Sequence, residues 1–308
     1  MGFGKGYGKV ILFNEHFVVH GVPAIASAIG LTTDAEVVRH SGKGIELIDN
    51  RKGTKGYSKE KMEHQKEALR RVMDYLGFDV EKNPIRITLG GNLPTFSGIG
   101  ASAANLVAIV RALNDEFKLG LSDEEVNNAA YEGEKAFAGT PSGIDNTAAT
   151  FGGLIWFKRG EKNIIERLQI KKPVEIVMGN TGVVANTKEV VAGVRERKEK
   201  YPEKYNKIFK EAEELVYEAR EALLKYDLKR VGELMNENHK QLQAIEVDGK
   251  ELNFLVELAR DNGALGAKLT GGGVGGCMVA LTPGKELQEK VASAMEKEGF
   301  QALRTVVG

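Results

Sequence analysis

A two-domain fold of mixed helices and strands is what this sequence predicts, and three observations carry the prediction. Runs rich in β-branched residues alternate with runs of helical hydrophobic spacing, as "PIRITL" (84–89) does with "SKEKMEHQKEALRRVMDYL" (58–76). Composition shifts after about residue 178 toward charged, helix-rich sequence, which places a boundary near 180 and gives domains of 1–180 and 181–308. A length of 308 residues suits one large domain or two.

Taken in order, residues 7–31 combine β-branched and aromatic residues with glycine and proline breaks, and predict a hairpin or two consecutive strands. From Ser41 to Gly56, glycines and charges predict turns. Residues 58–76 place Met62, Ala68, Leu69, Val72, Met73 and Leu76 at helical spacing, with Ser58 as N-cap. "PIRITL" alternates as a strand does; the loop "FSGIGASAAN" (96–105) follows, and Ala103 to Phe117 carries an apolar helix face. Residues 122–137 predict a helix capped by Ser122, with Glu125 three residues on completing a capping box. The stretch "AGTPSGIDN" predicts a turn that leads to an apolar strand at 151–158. The region 187–245 is highly charged and helix-rich, with "REALLKYDLKRVGELMNENHKQLQAI" (220–245) a pair of amphipathic helices, and a strand, glycine run, helix and short strand near 302–307 close the chain.

Composition excludes several functions. Lys+Arg and Asp+Glu stand at 43 each, so no charge excess marks a surface dedicated to nucleic acid or anionic lipid. No run of about 18 apolar residues is present to span a membrane. The first apolar run is broken by Asn14, Glu15 and His16, so it does not read as a secretory leader. The single cysteine, Cys277, lies in the apolar run Cys277–Leu281 and reads as a small core residue of a chain kept in a reducing compartment; a cytoplasmic location is the expectation.

Four constellations carry possible chemistry. A strand, a glycine loop and a helix in that order form the setting of a phosphate loop, since glycines free backbone N–H groups at a helix N-terminus to bind an anion. Here Gly98 and Gly100 allow close approach and Ser102 offers a hydroxyl to a magnesium ion or to the helix end, but the lysine of the GxxxxGK[ST] loop is missing. Glu134, near a helix end, and Asp145, in "TPSGIDN", are candidate carboxylates for magnesium or for orienting a hydroxyl, although spacing alone does not separate Glu134 from Glu132. Lys9 is set among Gly8, Val10, Ile11 and Leu12, so its charge must emerge at an edge or meet an acid such as Asp145. Finally, five glycines in positions 271–277, between two apolar runs, point to a backbone or a ligand coming very close, or to a glycine-permitted β-turn. His16 and His20 do not make a zinc pair, because on a strand they would lie roughly 13 Å apart.

These elements, in this order, resemble those of the GHMP kinase superfamily. "GKVILFNEHFVVHG" is similar to the first motif of its mevalonate kinases, in the form of their kinetoplastid-type branch. "SGIGASAAN" resembles their ATP loop, "GEKAFAGTPSGIDNTAATFGG" their catalytic segment, "NTKEVVAGVRERKEKYPE" the opening of their second domain and "GALGAKLTGGGVGG" their third motif. The resemblance runs from about residue 7 to 282 and implies an α+β fold, with an S5-like N-terminal ATP-binding domain and a ferredoxin-like C-terminal domain. It implies ATP-dependent phosphorylation of the 5-hydroxyl of mevalonate, giving 5-phosphomevalonate on the route to isoprenoids. Asp145 would accept or orient the hydroxyl proton, with Lys9 between it and the γ-phosphate. Ser97, Gly98, Ile99, Gly100, Ala101 and Ser102 would wrap the ATP phosphates, and Gly271, Gly272 and Gly273 would close on them. Ser102 and Glu134 would hold Mg2+, while Glu15, His16 and Thr187 would contact mevalonate. The implied partners are therefore ATP and mevalonate, without nucleic acid or membrane, and with a homodimer admitted.

Two residues depart from the family pattern. Asn14 stands where glycine is usual and would narrow the pocket or demand a different backbone angle, whereas Ala101 replaces only the first serine of the loop and leaves Ser102 in place. Other acceptors of the superfamily (phosphomevalonate, homoserine, a sugar) and a non-catalytic regulator are the alternatives. The joint presence of Lys9, Ser102, Glu134 and Asp145 favours a kinase.

Overall fold

The structure is a computed structural model that describes residues 1–51, 57–95, 98–184 and 186–308, with the side chains of 57–61 outside the description. Two compact units alternate along the chain. The first comprises Met1–Lys9, Gly30–Thr95 and Gly100–Gly152; the second comprises Val10–Ile29, Phe96–Ile99 and Gly153–Gly308.

In the first unit, β1 (Gly2–Phe13) contributes its opening residues and packs on helix α2 (Ala101–Phe117). Gly2, Gly4 and Gly6 face inward while Phe3, Lys5 and Tyr7 face outward. A Cβ on any of the three glycines would collide with α2 main chain, at the carbonyl oxygens of Ala112, Ala108 and Ala104 in turn. A strand in which every second residue is glycine therefore lies on a helix read at every fourth residue. Arg111 fastens the seam, donating to the carbonyls of Lys5 and Thr150, each at 2.9 Å, and to Asp123 Oδ1 at 2.5 Å. The strand thus begins well before residue 7, where the first β-branched residues predict it, because packing on α2 outweighs the low strand propensity of glycine.

The same unit holds β2 (Ala24–Arg39) from Gly30 onward, β3 (Ile45–Asp49), α1 (Tyr57–Leu76), β4 (Ile85–Gly91), α3 (Asp123–Ala138) and α4 (Ile144–Phe151). β4 pairs antiparallel with Thr33–Arg39 of β2 and parallel with β3. Helix α2 is buried almost all round, with Leu106, Val107, Ile109, Val110 and Leu113 in two apolar clusters against α1, α3 and β4. Ser122 caps α3 with the reciprocal bonds to Glu125 that the sequence predicts. Three expectations are corrected. β3 forms where turns were expected, drawn in by its pairing with β4. Ser58 is the second residue of α1 and not its N-cap. The stretch read as a turn contains the short helix α4, which starts at Gly143 with φ 93° and places Asp145 in its first turn.

The second unit contains the first half of β2, paired antiparallel with β5 (Leu154–Lys158), which pairs in turn with β6 (Ile164–Leu168). Its remainder is β7 (Val174–Asn180), α5 (Thr187–Lys200), α6 (Pro202–Leu224), α7 (Leu228–Ala244), α8 (Lys250–Asp261), β8 (Gly266–Thr270), β9 (Cys277–Leu281), α9 (Lys285–Lys297) and β10 (Gln301–Val307). An antiparallel sheet in the order β10-β7-β9-β8 carries α8 and α9, which is the ferredoxin-like arrangement. Helices α5, α6 and α7 fill the charged region, the end of α6 and α7 forming the pair expected over 220–245; the breaks fall where Pro202 opens α6 and Asp227 caps α7. Cys277 is a buried core residue of β9. The segment after β1 is not a strand: Phe17–His20 form a single 3-10 turn, entered through left-handed residues Asn14 (φ 70°) and His16 (φ 58°). Among the described residues, no helix is long and apolar enough to cross a membrane.

The glycine seam predicts an asymmetric mutational response. Gly4→Ala forces a methyl group into the Ala108 carbonyl and is expected to cost about 2–3 kcal/mol of unfolding free energy. Lys5→Ala, on the exposed face, should stay within about 0.5 kcal/mol. Urea unfolding of the two variants checks the pair.

Candidate active site

In the first unit, the sequence-predicted residues Lys9, Gly100, Ala101, Ser102, Glu134 and Asp145 come together at the head of α2. Helix α2 opens at Gly100 (φ 70°), with no side-chain cap, so the N–H groups of its first turn are left to an outside partner. A Cβ on Gly100 would lie 2.6 Å from Lys9 Cγ. The glycine therefore serves two ends: it adopts a left-handed angle, and it lets the lysine stem pass directly over the helix start. Lys9 is 2% exposed, yet its ammonium reaches Asp145 Oδ1 at 3.2 Å, and that carboxylate remains 34% exposed. The buried cation is thus paired with an acid that still faces outward.

Several bonds hold Asp145 in place. Thr147 Oγ1 donates to the Gly143 carbonyl at 2.6 Å, and Asn146 Nδ2 donates to Asn127 Oδ1 at 2.7 Å, tying α4 to α3. The first turn of a helix also favours an anion through its dipole.

Glu134 and Glu132 separate clearly. Glu132 is half-buried and bonds Lys135 at 2.5 Å, whereas Glu134 is buried, receives the Ser102 hydroxyl and keeps Oε1 without a hydrogen-bond partner. Its carboxyl is pushed from 4.5 up to about 8, first by burial and then by the Asp145 charge, against the weaker pull of Ser102 and Lys9. A buried acid with an open oxygen beside a hydroxyl fits a divalent cation, which would take up that oxygen and favour the ionised form. Among the described residues, no group of three or more His, Cys, Asp and Glu side chains forms a metal cage of its own.

In the second unit, a different set converges: Glu15, His16, Thr187, Gly98, Gly271, Gly272 and Gly273. Ile99 of the loop is fully buried, and Ser97 lies outside the described residues. The two glycine motifs meet main chain to main chain. A Cβ on Gly271 would lie 2.7 Å from Gly98 Cα, and one on Gly98 would lie 3.0 Å from the Thr270 carbonyl oxygen. Gly272 packs on the Thr187 hydroxyl and Gly273 on the Val247 carbonyl. The close approach that the glycine run requires is thus met at these positions by the protein's own backbone and by Thr187.

Glu15 is gripped by a residue that sequence reasoning missed. Lys268 Nζ bonds both Glu15 carboxylate oxygens at 2.5 Å and the Leu269 carbonyl at 2.8 Å, with the pair 0% and 1% exposed. Removing one partner of such a buried pair strands a charge, at a cost of about 3–5 kcal/mol. The signal was present: Lys268 stands in the apolar run "GALGAKLT", the same predicament that singled out Lys9.

His16 Nε2 lies 3.1 Å from the Gly272 carbonyl oxygen. A carbonyl only accepts, so Nε2 carries the proton and Nδ1 is the bare nitrogen. Burial lowers the imidazole to about 4, helped by the charges of His20, Lys268 and Arg197 and opposed by the Gly272 bond, so the ring is neutral at pH 7. Nδ1 is buried without a hydrogen-bond partner in the protein. It is an acceptor ready for a hydroxyl.

Asn14 does adopt the glycine-like angle, but its side chain leaves the turn for the interior. Nδ2 donates to the carbonyls of Pro23 and Ala212 at 2.8 and 2.9 Å.

Comparison with known proteins agrees with this architecture. The profile of the GHMP kinases N terminal domain matches residues 63–153, and that of the GHMP kinases C terminal matches residues 219–301. The mevalonate kinase of Thermococcus sibiricus is 37% identical, over 97% of this chain and 94% of its own length. That of Pyrococcus abyssi is also 37% identical, over 94% and 91%. The crystal structure of L. major mevalonate kinase in complex with R-mevalonate superposes with a TM-score of 0.93 at 40% identity, covering 100% of this chain and 96% of that one.

The Glu134 carboxyl makes a pH prediction. Between pH 4.5 and about 8, the cation-free folded protein keeps a proton that the unfolded chain releases, so this group makes stability fall as pH rises through that window. Glu134→Gln removes the effect, and its melting temperature relative to the parent should climb from pH 5 to pH 8. Parallel curves, measured without divalent cations, would contradict the assignment.

With both domain profiles matched, and relatives above 30% identity over nearly its full length, the chain belongs to the GHMP kinase family and within it to the mevalonate kinases.

Proposed function

We infer that this chain catalyses ATP-dependent phosphorylation of mevalonate at its 5-hydroxyl. The observation that carries the chemistry is the Lys9–Asp145 pair at 3.2 Å, set at the uncapped N-terminus of α2. The mevalonate kinase relatives name the acceptor.

The acceptor oxygen bonds to the γ-phosphorus as the bond to the β–γ bridging oxygen breaks, and ADP leaves. Little covalent work falls to the protein, so catalysis is positioning and charge stabilisation. Asp145 accepts the hydroxyl hydrogen bond and aims the oxygen, and the proton departs through this carboxylate. Lys9 places its positive charge beside the transferring group, and the first-turn N–H groups from Ala101 onward bind phosphate oxygens. Gly98, Ile99 and Ser97 belong to the same phosphate loop, with Gly271, Gly272 and Gly273 as its complement. Ser102 and Glu134 are the residues to hold Mg2+, which when bound neutralises phosphate charge. On the acceptor side, His16 Nδ1 receives a mevalonate hydroxyl, Thr187 lines the binding surface, and Glu15 fixes the turn from which His16 projects.

Release of ADP in the presence of magnesium, with mevalonate, phosphomevalonate, homoserine and galactose as rival acceptors, tests the assignment. Turnover with another acceptor and none with mevalonate overturns it. Asp145→Asn should retain ATP binding and lose about 10²–10⁴-fold in kcat. Near-normal turnover would remove Asp145 from its role.

A further inference from the structure

The turn Asn14–Glu15–His16 is anchored residue by residue within the second unit. Lys268 of β8 holds Glu15, and the Gly272 carbonyl holds His16. Asn14 is held by α6 and α7. Its backbone N–H donates to Asn238 Oδ1 at 3.1 Å, and its Oδ1 accepts from Asn238 Nδ2 at 2.9 Å. The Asn238 carboxamide thus bonds Asn14 twice, accepting from its main-chain N–H and donating to its side-chain oxygen, while Asn14 Nδ2 serves Pro23 and Ala212 and the Asn14 carbonyl accepts from the Val18 N–H at 3.1 Å. Every polar group of Asn14 is used, and both asparagines are fully buried.

Asn14 and His16 both hold left-handed backbone angles, which ordinary residues enter only at a cost. Two such residues flanking Glu15 form a turn that would relax if unsupported. On the Asn14 side, one α7 side chain, Asn238, meets both the N–H and the Oδ1, and main-chain carbonyls of Pro23 and Ala212 receive Nδ2. Asn238 touches no reacting group; its neighbour on the helix, His239, accepts from the Leu269 N–H at 3.4 Å, next to Lys268. Helix α7 therefore braces both the turn and the strand that grips it.

We propose that Asn238 is a positioning residue for the phosphoryl acceptor: through its two hydrogen bonds to Asn14, one to the main chain and one to the side chain, it holds the left-handed turn that aims the bare Nδ1 of His16. The proposal rests on the reading of His16 as an acceptor contact.

Steady-state kinetics with mevalonate and ATP separate positioning from mere stability. Asn238→Ala should raise KM for mevalonate about ten-fold, the size that two lost hydrogen bonds produce, with kcat and the KM for ATP within about three-fold of the parent. Asn238→Asp is the isosteric variant for use if the alanine variant does not fold; it keeps an acceptor for the Asn14 N–H, loses the donor to Oδ1, and should show the same split. Asn14→Gly frees the left-handed angle and removes one carboxamide. Combined with Asn238→Ala, it should therefore give an acceptor KM below the product of the two single effects. A lowered melting temperature with unchanged mevalonate KM, an equal rise in both KM values, or strict additivity in the double variant would overturn the proposal. His16→Ala is the separate control. If it leaves the mevalonate KM unchanged, the acceptor role of His16 fails. If it raises that KM while the Asn238 variants do not, only the role of Asn238 fails.

Discussion

The close approach of β1 to α2 is the constraint on which the first unit depends. Helix and strand backbones normally stand apart by the depth of a side-chain layer; here Gly2, Gly4 and Gly6 remove that layer. The strand that emerges from this contact carries Lys9 across Gly100, at the start of the helix. Burying a lysine stem there is tolerable because Asp145 meets its ammonium, and Asp145 is in turn set by α4 and its bonds to α3. Remove the glycines, and neither the lysine nor the open helix end keeps its address.

The two residue clusters differ in electrical character. In the first, one buried cation faces two carboxylates, Asp145 and Glu134, and Glu134 keeps its proton near neutrality. Lys9 and Asp145 balance, and an ionised Glu134 would need a further positive charge, a condition suited to a divalent cation. In the second, Lys268 is matched by Glu15, and His16 is held neutral among like charges. That leaves a hydrogen-bonding surface for an uncharged hydroxyl. On the proposed assignment, charge at the phosphoryl group and contact with the acceptor are built from separate kinds of interaction.

Much of this was readable from the residues. The apolar setting of Lys9 left its charge an edge or an acid such as Asp145, the glycine loop stood before a helix start, and the Ser122–Glu125 capping box announced α3. What stayed hidden was tertiary. Nothing in "NENHK" distinguishes Asn238 from a solvated helix residue, because its partner lies 224 positions away. Glu132 and Glu134 look alike in sequence because burial, not type, separates them. The short helix α4 was masked by "TPSG", whose turn residues supply its start; only the contacts of Asn146 and Thr147 extend it. The opening strand was masked by its own glycines, which depress strand propensity for the same reason that they fit against α2.

The seam between β1 and α2 also acts as a ruler. Successive glycines of the strand meet Ala112, Ala108 and Ala104, so each advance of two residues along β1 matches a retreat of four along α2. The steps are commensurate, about 6.6 Å for the strand and about 6 Å for the helix. A further step falls on Gly8 and Gly100, where the glycine alternation gives way to Lys9. A slip by one notch would preserve most of the packing, since glycine would again face alanine backbone, yet it would carry the lysine a full turn from the loop. The N-terminal repeat therefore measures distance as well as filling space, and its register with α2 decides whether Lys9 stands over Gly100 at the start of the helix.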